Sequence, residues 1–384
     1  MVARASCPLE KLGALSTLGG LEARATGLLP ALLQECLKMI DSLYVVILAG
    51  GKGERFWPLS KPETPKPFLH FFSDRSLLQQ TYDRAKQLVP EDRITLIVGE
   101  QHASISRKQL PELGGSRLLL EPAGRDTAAA IGYASLHLSE DALMLVMPAD
   151  HLIPDNASFA RTMNSAAMFI RDHGGPCTFG IKPDRPDTNY GYIGAAGRNL
   201  YQSESPVYSV EEFIEKPERQ RAEEFIRKPF YYWNSGIFLW KVSRIRELIA
   251  EHLPELWSGL QQVFAAQGKP EFRTLYESLI RISIDYGVMQ KADRVVVIPA
   301  SFAWDDIGTW NSLLRILPAD SQGNLIHGDS VGVDTSDCIV YAESHTIATA
   351  GVHDLVIVQS GNKILVCSRE YASRLKELLG KLPS

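Results

Sequence analysis

Apolar residues come in short runs along most of this chain, and the spacing between the runs changes twice. From residue 43 to about 180, runs at 43–49, 93–99, 117–120, 142–147 and 177–181 alternate with amphipathic stretches at about 75–88, 101–110, 126–138 and 157–172. The runs are rich in Val, Ile and Leu and too short for helices, so they predict strands buried on both faces, with helices between them. Such alternation implies right-handed crossovers and an α/β fold with a doubly wound, mostly parallel, Rossmann-like sheet. Ligands of these sheets sit beyond the carboxyl ends of the strands.

Between 187 and 241 the pattern changes to strands rich in tyrosine and glycine, at Asn189–Gly194, Val207–Ile214 and Tyr231–Trp240, with a helix near 218–227. This predicts a substrate-covering layer built onto the sheet. Helices are predicted at 242–251, 254–266 and 271–281, and a strand at 294–298. After about residue 320 helical periodicity stops. Short β-branched segments at 331–333, 338–342, 345–349, 354–358 and 363–367, separated by Gly, Asp, Ser or Asn, predict a small β-helix or β-roll ended by a helix at 370–380. Packing or self-association, such as a homodimer interface, is the expected role of that part. The chain thus divides into an N-terminal extension (1–42), an α/β domain (43–320) and a small β-rich domain (321–384).

The extension has no strand pattern, and Gly27–Lys38 reads at most as a short amphipathic helix. Arg4, Glu10, Lys11, Glu22 and Arg24 interrupt the apolar core that a secretory signal needs, and its acidic residues disfavour a transit peptide. Met39 stands four residues before the first strand, so residues 1–38 are expected to be a misassigned upstream start or a loosely held tail. Their deletion is expected to leave activity intact. Forty basic against 45 acidic residues, a formal charge of −5, argue against a nucleic-acid polymer or an anionic membrane as partner. No apolar run reaches the roughly 18 residues of a spanning helix, and Cys7, Cys36, Cys177, Cys338 and Cys367 are scattered without Cys-x-x-Cys spacing. A reducing, cytoplasmic setting is expected.

Candidate chemistry begins at the end of the first strand. Leu48 and Ala49 run into Gly50, Gly51 and Gly53, which allow a sharp turn and bring backbone N–H groups within reach of an anion. Arg55 and Lys66 add cations nearby, and Pro65 and Pro67 fix the backbone around that lysine. The stretch fits neither better-known nucleotide motif, because no Gly-Lys-Ser/Thr closes it and Trp57-Pro58 stands where a crossover helix would begin. As it stands, GGKGERFWPLS followed by PKPFL resembles the signature of the sugar-nucleotide pyrophosphorylases. Its Phe-Trp-Pro-Leu-Ser wording resembles their mannose-1-phosphate guanylyltransferase branch.

That resemblance covers about residues 43 to 315 and implies a glycosyltransferase-A-like nucleotidyltransferase domain followed by a short left-handed β-helix. By itself, an Asp after a strand is most often a turn or a helix cap. In the family, however, the Asp of Pro148-Ala149-Asp150 and Asp306 of Trp304-Asp305-Asp306-Ile307-Gly308-Thr309-Trp310 together hold Mg²⁺, or Mn²⁺ in its place. Two carboxylates leave most of an octahedral shell to water and phosphate oxygens, as magnesium prefers. Asp305 reads as structural. Resemblance assigns Glu215 of Glu215-Lys216-Pro217 to sugar hydroxyls and Lys216 to the sugar phosphate, although an isolated Glu-Lys pair is more often a solvated strand end. Asn234 would offer a hexose both a donor and an acceptor, and Gly191 would allow backbone hydrogen bonds to it. The loop Glu121–Ala130 implies nucleotide contacts at Arg125 and Thr127, with Pro148 and Asp150 completing that side, while Asp126 or Thr127 also suits a helix N-cap. Asp126 and Ala129 depart from the family's common Asn and Pro. His151 is assigned no chemistry, and neither a covalent nucleophile nor a zinc site is indicated.

The resemblance implies that GTP and α-D-mannose 1-phosphate give GDP-mannose and pyrophosphate, reversibly. A sugar phosphate with a second pKa near 6 is largely dianionic at neutral pH, so no general base is required. Arg55, Lys66, Asp150, Lys216 and Asp306 would neutralise charge and position the reactants for in-line attack. Arg55→Ala and Lys66→Ala are expected to lower turnover more than fold stability. Adenylyl-, uridylyl- and thymidylyltransferases share the glycine loop and the Glu-Lys-Pro element and are the nearest alternative. A non-catalytic sugar-nucleotide-binding regulator would have little use for all five charged residues. A nicotinamide oxidoreductase would need a helix starting at the glycine loop. The residues after 320 are too few for the isomerase module that some relatives carry.

Overall fold

A computed structural model describes residues 42–51, 53–201 and 205–381; the helix expected in Gly27–Lys38 lies outside them. Strands β1 (Leu43–Ala49), β2 (Ile94–Gly99), β3 (Leu118–Glu121) and β4 (Leu143–Pro148) pair in parallel in the order β3-β2-β1-β4. The helices between and after them are Leu77–Lys86, Ala103–Gln109, Asp126–Ser135 and Asn156–His173. Ser76 starts the first with a reciprocal capping box to Gln79, which places the helix start well beyond Leu69 and away from the glycine loop.

Next come β5 (Cys177–Ile181), β6 (Tyr192–Tyr201), β7 (Val207–Ile214), β8 (Tyr231–Lys241) and β9 (Val296–Pro299). They extend the same sheet as β4-β8-β5-β9-β7-β6. The tyrosine- and glycine-rich strands therefore join the sheet itself. β8 inserts antiparallel between β4 and β5, so the half of the sheet beyond β4 is mostly antiparallel. The expected helix at 271–281 stops at Ser278, and Asp285–Met289 forms a π-helical turn that the periodicity did not indicate.

Alternation along β1 feeds two cores. Val45 and Ile47 share one core with Leu78, Tyr82 and Phe159, while Val46 shares the other with Ile131, Phe238 and Trp240. Each such buried side chain contributes about 1.5–3 kcal/mol. That double-sided burial holds the carboxyl ends of β1 and β4 rigid beneath the site.

The C-terminal strands β10 (Leu325–His327), β11 (Ser330–Ser336), β12 (Ile339–Ala342), β13 (Ile347–His353), β14 (Leu355–Ser360) and β15 (Lys363–Ser368) alternate between two small sheets. Pairing is parallel between β10, β12 and β14 and between β11 and β13, the arrangement of a β-helical coil, and β15 closes one sheet antiparallel. Ser330 pairs with Ile347 and Ile339 with Val356, 17 positions on, whereas Leu325 pairs with Ile339 only 14 positions on. This shorter first coil is why the repeat looks irregular in the sequence. Asp337 and Asp354 take left-handed φ angles of 53° and 54° at the corners between strands, and Asp334 takes 50° within β11. The chain then ends in a 3₁₀ turn, Arg369–Arg374, and the short helix Leu375–Leu379, where one helix at 370–380 was expected.

A third core joins this coil to the segments around the site. Phe56, Phe71, Ile307 and Trp310 share it with Ile339, Tyr341 and Val356. The Tyr341 hydroxyl donates to the His70 carbonyl at 3.0 Å, and Lys376 pairs with Glu54 at 3.3 Å. The β-rich domain packs directly behind the loops that carry Arg55 and Asp306.

Candidate active site

Gly53 shows why the loop after β1 needs a glycine. Its φ is 62°, and an added Cβ would lie 2.3 Å from the Cβ of Lys66. The Pro65–Phe68 turn therefore crosses the glycine loop in close contact, and Lys66 is 7 % exposed. Its ammonium donates to Asp150 Oδ2 at 2.8 Å and to the backbone carbonyl of Asp306. One cation thus links the two acidic residues that are far apart in sequence.

A backbone bridge makes this convergence possible. Leu152 N donates to Asp305 O at 2.9 Å and Asp305 N to Leu152 O at 3.1 Å, aligning the segment after β4 with the segment after β9. Asp305 is turned into the protein, where Arg315 donates twice to its Oδ2, at 2.8 and 2.6 Å, and Ile307 N donates to its Oδ1 at 2.7 Å. Burial, countered by Arg315, leaves the Asp305 carboxyl above its usual range. Ile307 is fully buried at φ 45°, a conformation that a β-branched residue adopts at a cost of about 1–3 kcal/mol. Its burial in the third core offsets that strain and turns Asp306 the opposite way from Asp305.

Asp306 Oδ1 accepts the Tyr190 hydroxyl at 2.7 Å, and Arg55 Nη1 donates to Gly308 O at 3.4 Å. Burial, with Asp306 beside it, raises the Tyr190 hydroxyl far above its ordinary range, so Tyr190 stays a donor. Burial also acts to raise the Asp150 carboxyl, but the Lys66 ammonium outweighs it and the net displacement is downward. His151 is pulled down to about 4, chiefly by burial, and its Nδ1 accepts the Trp304 indole N–H at 3.1 Å. It is neutral at physiological pH and braces the loop.

A cavity of about 470 Å³ opens above these groups, at the carboxyl ends of β1 and β4 and against β8. Leu48, Ala49, Gly50, Gly51, Thr127, Pro148, Asp150, Gly191, Glu215, Asn234 and Asp306 all line it. Lys66 lies beneath the lining and Arg55 beside Asp306, while Gly53 supports the loop from behind. Arg125 does not reach the cavity wall; its guanidinium donates to the Glu277 carbonyl. The Thr127 hydroxyl faces the cleft but accepts Ile284 N–H at 2.8 Å. Lys216 stands at the rim with φ 52°, its side chain about half exposed, pairing with Glu215 Oε1 at 2.8 Å.

Asn234 differs from expectation. Its Oδ1 already accepts from the Thr178 hydroxyl at 2.9 Å and from Gly236 N at 3.2 Å, so the side chain has a donor to offer a sugar but not a free acceptor. Its Nδ2 donates to Asp285 Oδ1 at 2.8 Å. Asp285 is a cavity residue that lay outside every motif, whereas Tyr190 and Glu121 lay inside marked segments without being singled out. Glu121 is buried, accepts the Tyr276 hydroxyl at 2.7 Å and has its carboxyl raised by burial. Glu121 stood in the sequence inside the loop already read as lining the nucleotide site; Asp285 had no local signal at all.

The residues present suit a two-carboxylate magnesium site. Asp150 and Asp306 converge on Lys66, both line the cleft, and among the described residues no third His, Cys, Asp or Glu completes a protein-only metal cluster. Magnesium commonly keeps its remaining positions for water and phosphate.

Comparison with known proteins places this geometry in a family. The nucleotidyl transferase family matches residues 44–323, and the MannoseP isomerase/GMP-like beta-helix domain matches residues 328–382. A mannose-1-phosphate guanylyltransferase of Escherichia coli is 39 % identical over 359 residues, 90 % of this chain and 76 % of that protein. Another, from strain K12, is 36 % identical over 355 residues, 89 % of this chain and 74 % of the relative. A Thermus thermophilus crystal structure, described as a mannose-1-phosphate geranyltransferase, superposes with a TM-score of 0.81 at 38 % identity, covering 89 % of this chain and 100 % of that one. The chain therefore belongs to the nucleotidyl transferase family, among its mannose-1-phosphate guanylyltransferases.

Proposed function

We propose that the protein makes GDP-mannose and pyrophosphate from GTP and α-D-mannose 1-phosphate. The observation that carries this reading is the convergence of Asp150, Asp306 and Lys66 at the floor of a glycine-loop cavity in a chain with these relatives. A dianionic sugar phosphate needs no base, and His151, neutral and bonded to Trp304, supplies none. The chemical difficulty is mutual repulsion between two polyanions. Arg55 and the glycine-loop N–H groups offset the departing pyrophosphate, Lys66 the reacting phosphates, and Lys216 closes over the sugar phosphate from the rim. Asp150 and Asp306 would hold Mg²⁺, which neutralises phosphate charge when bound. Glu215 and Asn234 orient the hexose.

Cys177, Cys338 and Cys367 are unpaired thiols, which suits a reducing cytoplasm. Among the described residues no helix is long and apolar enough to cross a membrane. Exposed Val331, Val333, Ile364 and Val366 on the coil support self-association through residues 321–384.

The test is pyrophosphate release from each of the four nucleoside triphosphates paired with several hexose 1-phosphates, with Mg²⁺ and after chelation. GTP with mannose 1-phosphate is expected to be the best pair, and chelation to abolish release. Equal rates with ATP, UTP and dTTP would refute the base assignment, and undiminished release after chelation the metal.

A further inference from the structure

At the sugar end of the cleft the carboxyl groups of Glu215 and Asp285 line one cavity, with the half-exposed Lys216 pairing Glu215 from the rim. Glu215 has a side chain only 9 % exposed, and its Oε2 is buried with no hydrogen-bond partner. That oxygen sits directly over Gly191, where an added Cβ would lie 2.4 Å away, so Gly191 is the gap that admits it. An unpaired buried acceptor is costly and marks a place where something else donates. Asp285 lies beside it on the π-helical turn, lines the same cavity and fixes the Asn234 carboxamide through Oδ1. Tyr286, the next residue, donates to the Glu215 carbonyl at 3.4 Å, tying the turn to the Glu-Lys-Pro segment.

We propose that Asp285 is a sugar-binding and specificity-determining residue, which with Glu215 accepts neighbouring hydroxyls of the hexose 1-phosphate while holding Asn234 as a donor. The proposal rests on the reaction assigned above. Burial, with Glu215 nearby, pushes the Asp285 carboxyl up to about 7, in keeping with two acids sharing one enclosed space. A hexose lacking the matching hydroxyl leaves a carboxyl oxygen enclosed and unpaired. Sites built to hydrogen-bond a hydroxyl discriminate strongly for that reason.

The experiment measures kcat/KM of the wild type, Asp285→Asn and Asp285→Ala for mannose 1-phosphate and its single-position deoxy analogues, together with KM for GTP. The wild type should discriminate against at least one analogue by about 100-fold. Asp285→Ala should lower kcat/KM for mannose 1-phosphate by about 100-fold, leave KM for GTP within about threefold and shrink that discrimination to below about tenfold. Asp285→Asn, which keeps an acceptor for Asn234, should fall between the two. A uniform loss across mannose 1-phosphate and every analogue would overturn the proposal, because a purely structural residue affects all of them alike. Should Asp285→Ala fail to bind GTP in calorimetry, Asp285→Asn decides, and unchanged discrimination in it overturns the proposal. A wild type that releases no pyrophosphate from any pair refutes the assigned reaction itself, and this inference with it.

Discussion

At the end of the cleft assigned to phosphate, Lys66 is buried and its ammonium serves both the Asp150 carboxylate and the Asp306 carbonyl; at the end assigned to the sugar, Lys216 is half exposed, pairs with Glu215 and stands over the Tyr286 ring. The acids differ accordingly. Asp150 is held below its usual range against the pull of burial, whereas Asp285 is pushed up to about 7 because burial and Glu215 act on it together. In the proposed reaction the first end, neutralised in advance, would receive phosphate and metal. The other keeps an enclosed acceptor, which would suit hydroxyl groups because they carry no charge and so need no cation.

This contrast can be broken from either side. Asp306→Ala should have the largest effect, a fall in turnover of about 1,000-fold or more with thermal stability little changed, read from pyrophosphate release beside a melting curve. Lys66→Met should lower turnover by about 100-fold and also cost stability, by about 1–3 kcal/mol in chemical denaturation, because Asp150 loses the partner that offsets its burial. That differs from the expectation that turnover would suffer far more than the fold. A stability loss below about 0.5 kcal/mol would show that the pair contributes little.

At the sugar end the sign reverses. The Asp285 carboxyl titrates near 7 in the folded protein against 3.8 in the open chain, so the folded state holds its proton more tightly. The stability this contributes is complete below about pH 4 and is lost as the pH rises through 7. Asp285→Asn, uncharged throughout, should therefore be more stable than the wild type at about pH 8, by on the order of 3 kcal/mol, with the gap closing towards about pH 5. Denaturant titrations at the two pH values check this, and a gap that widened at the lower one would contradict it. Lys216→Met should have the smallest effect, a roughly tenfold rise in KM for the sugar phosphate with stability unchanged within about 0.5 kcal/mol.

Much of the architecture was legible in one dimension. The β-branched runs ending at Ala49 and Pro148, the helices between them and the glycine loop follow from local periodicity and turn chemistry, and the two strands lie within about one or two residues of where those rules place them. The coil after residue 320 was visible as short β-branched segments, but its shorter first turn hid the repeat. Arg125 and Asn234 were marked by their motifs, yet their hydrogen bonds go to Glu277, Thr178, Gly236 and Asp285, which the motifs could not indicate.

From its sequence alone this protein's strand-helix order, its glycine-rich turn after the first strand and the identity of its acidic and basic groups could be read, because those depend on residues a few positions apart. Only the tertiary structure decided that Asp150 and Asp306 meet at Lys66, that Asn234 has no acceptor left for a sugar, and that Asp285 joins Glu215. Those outcomes rest on the Leu152–Asp305 bridge, the third core behind Ile307 and the π-helical turn at Asp285. The choice of a buried polar group's partner is made by neighbours that only the folded chain brings within hydrogen-bonding distance.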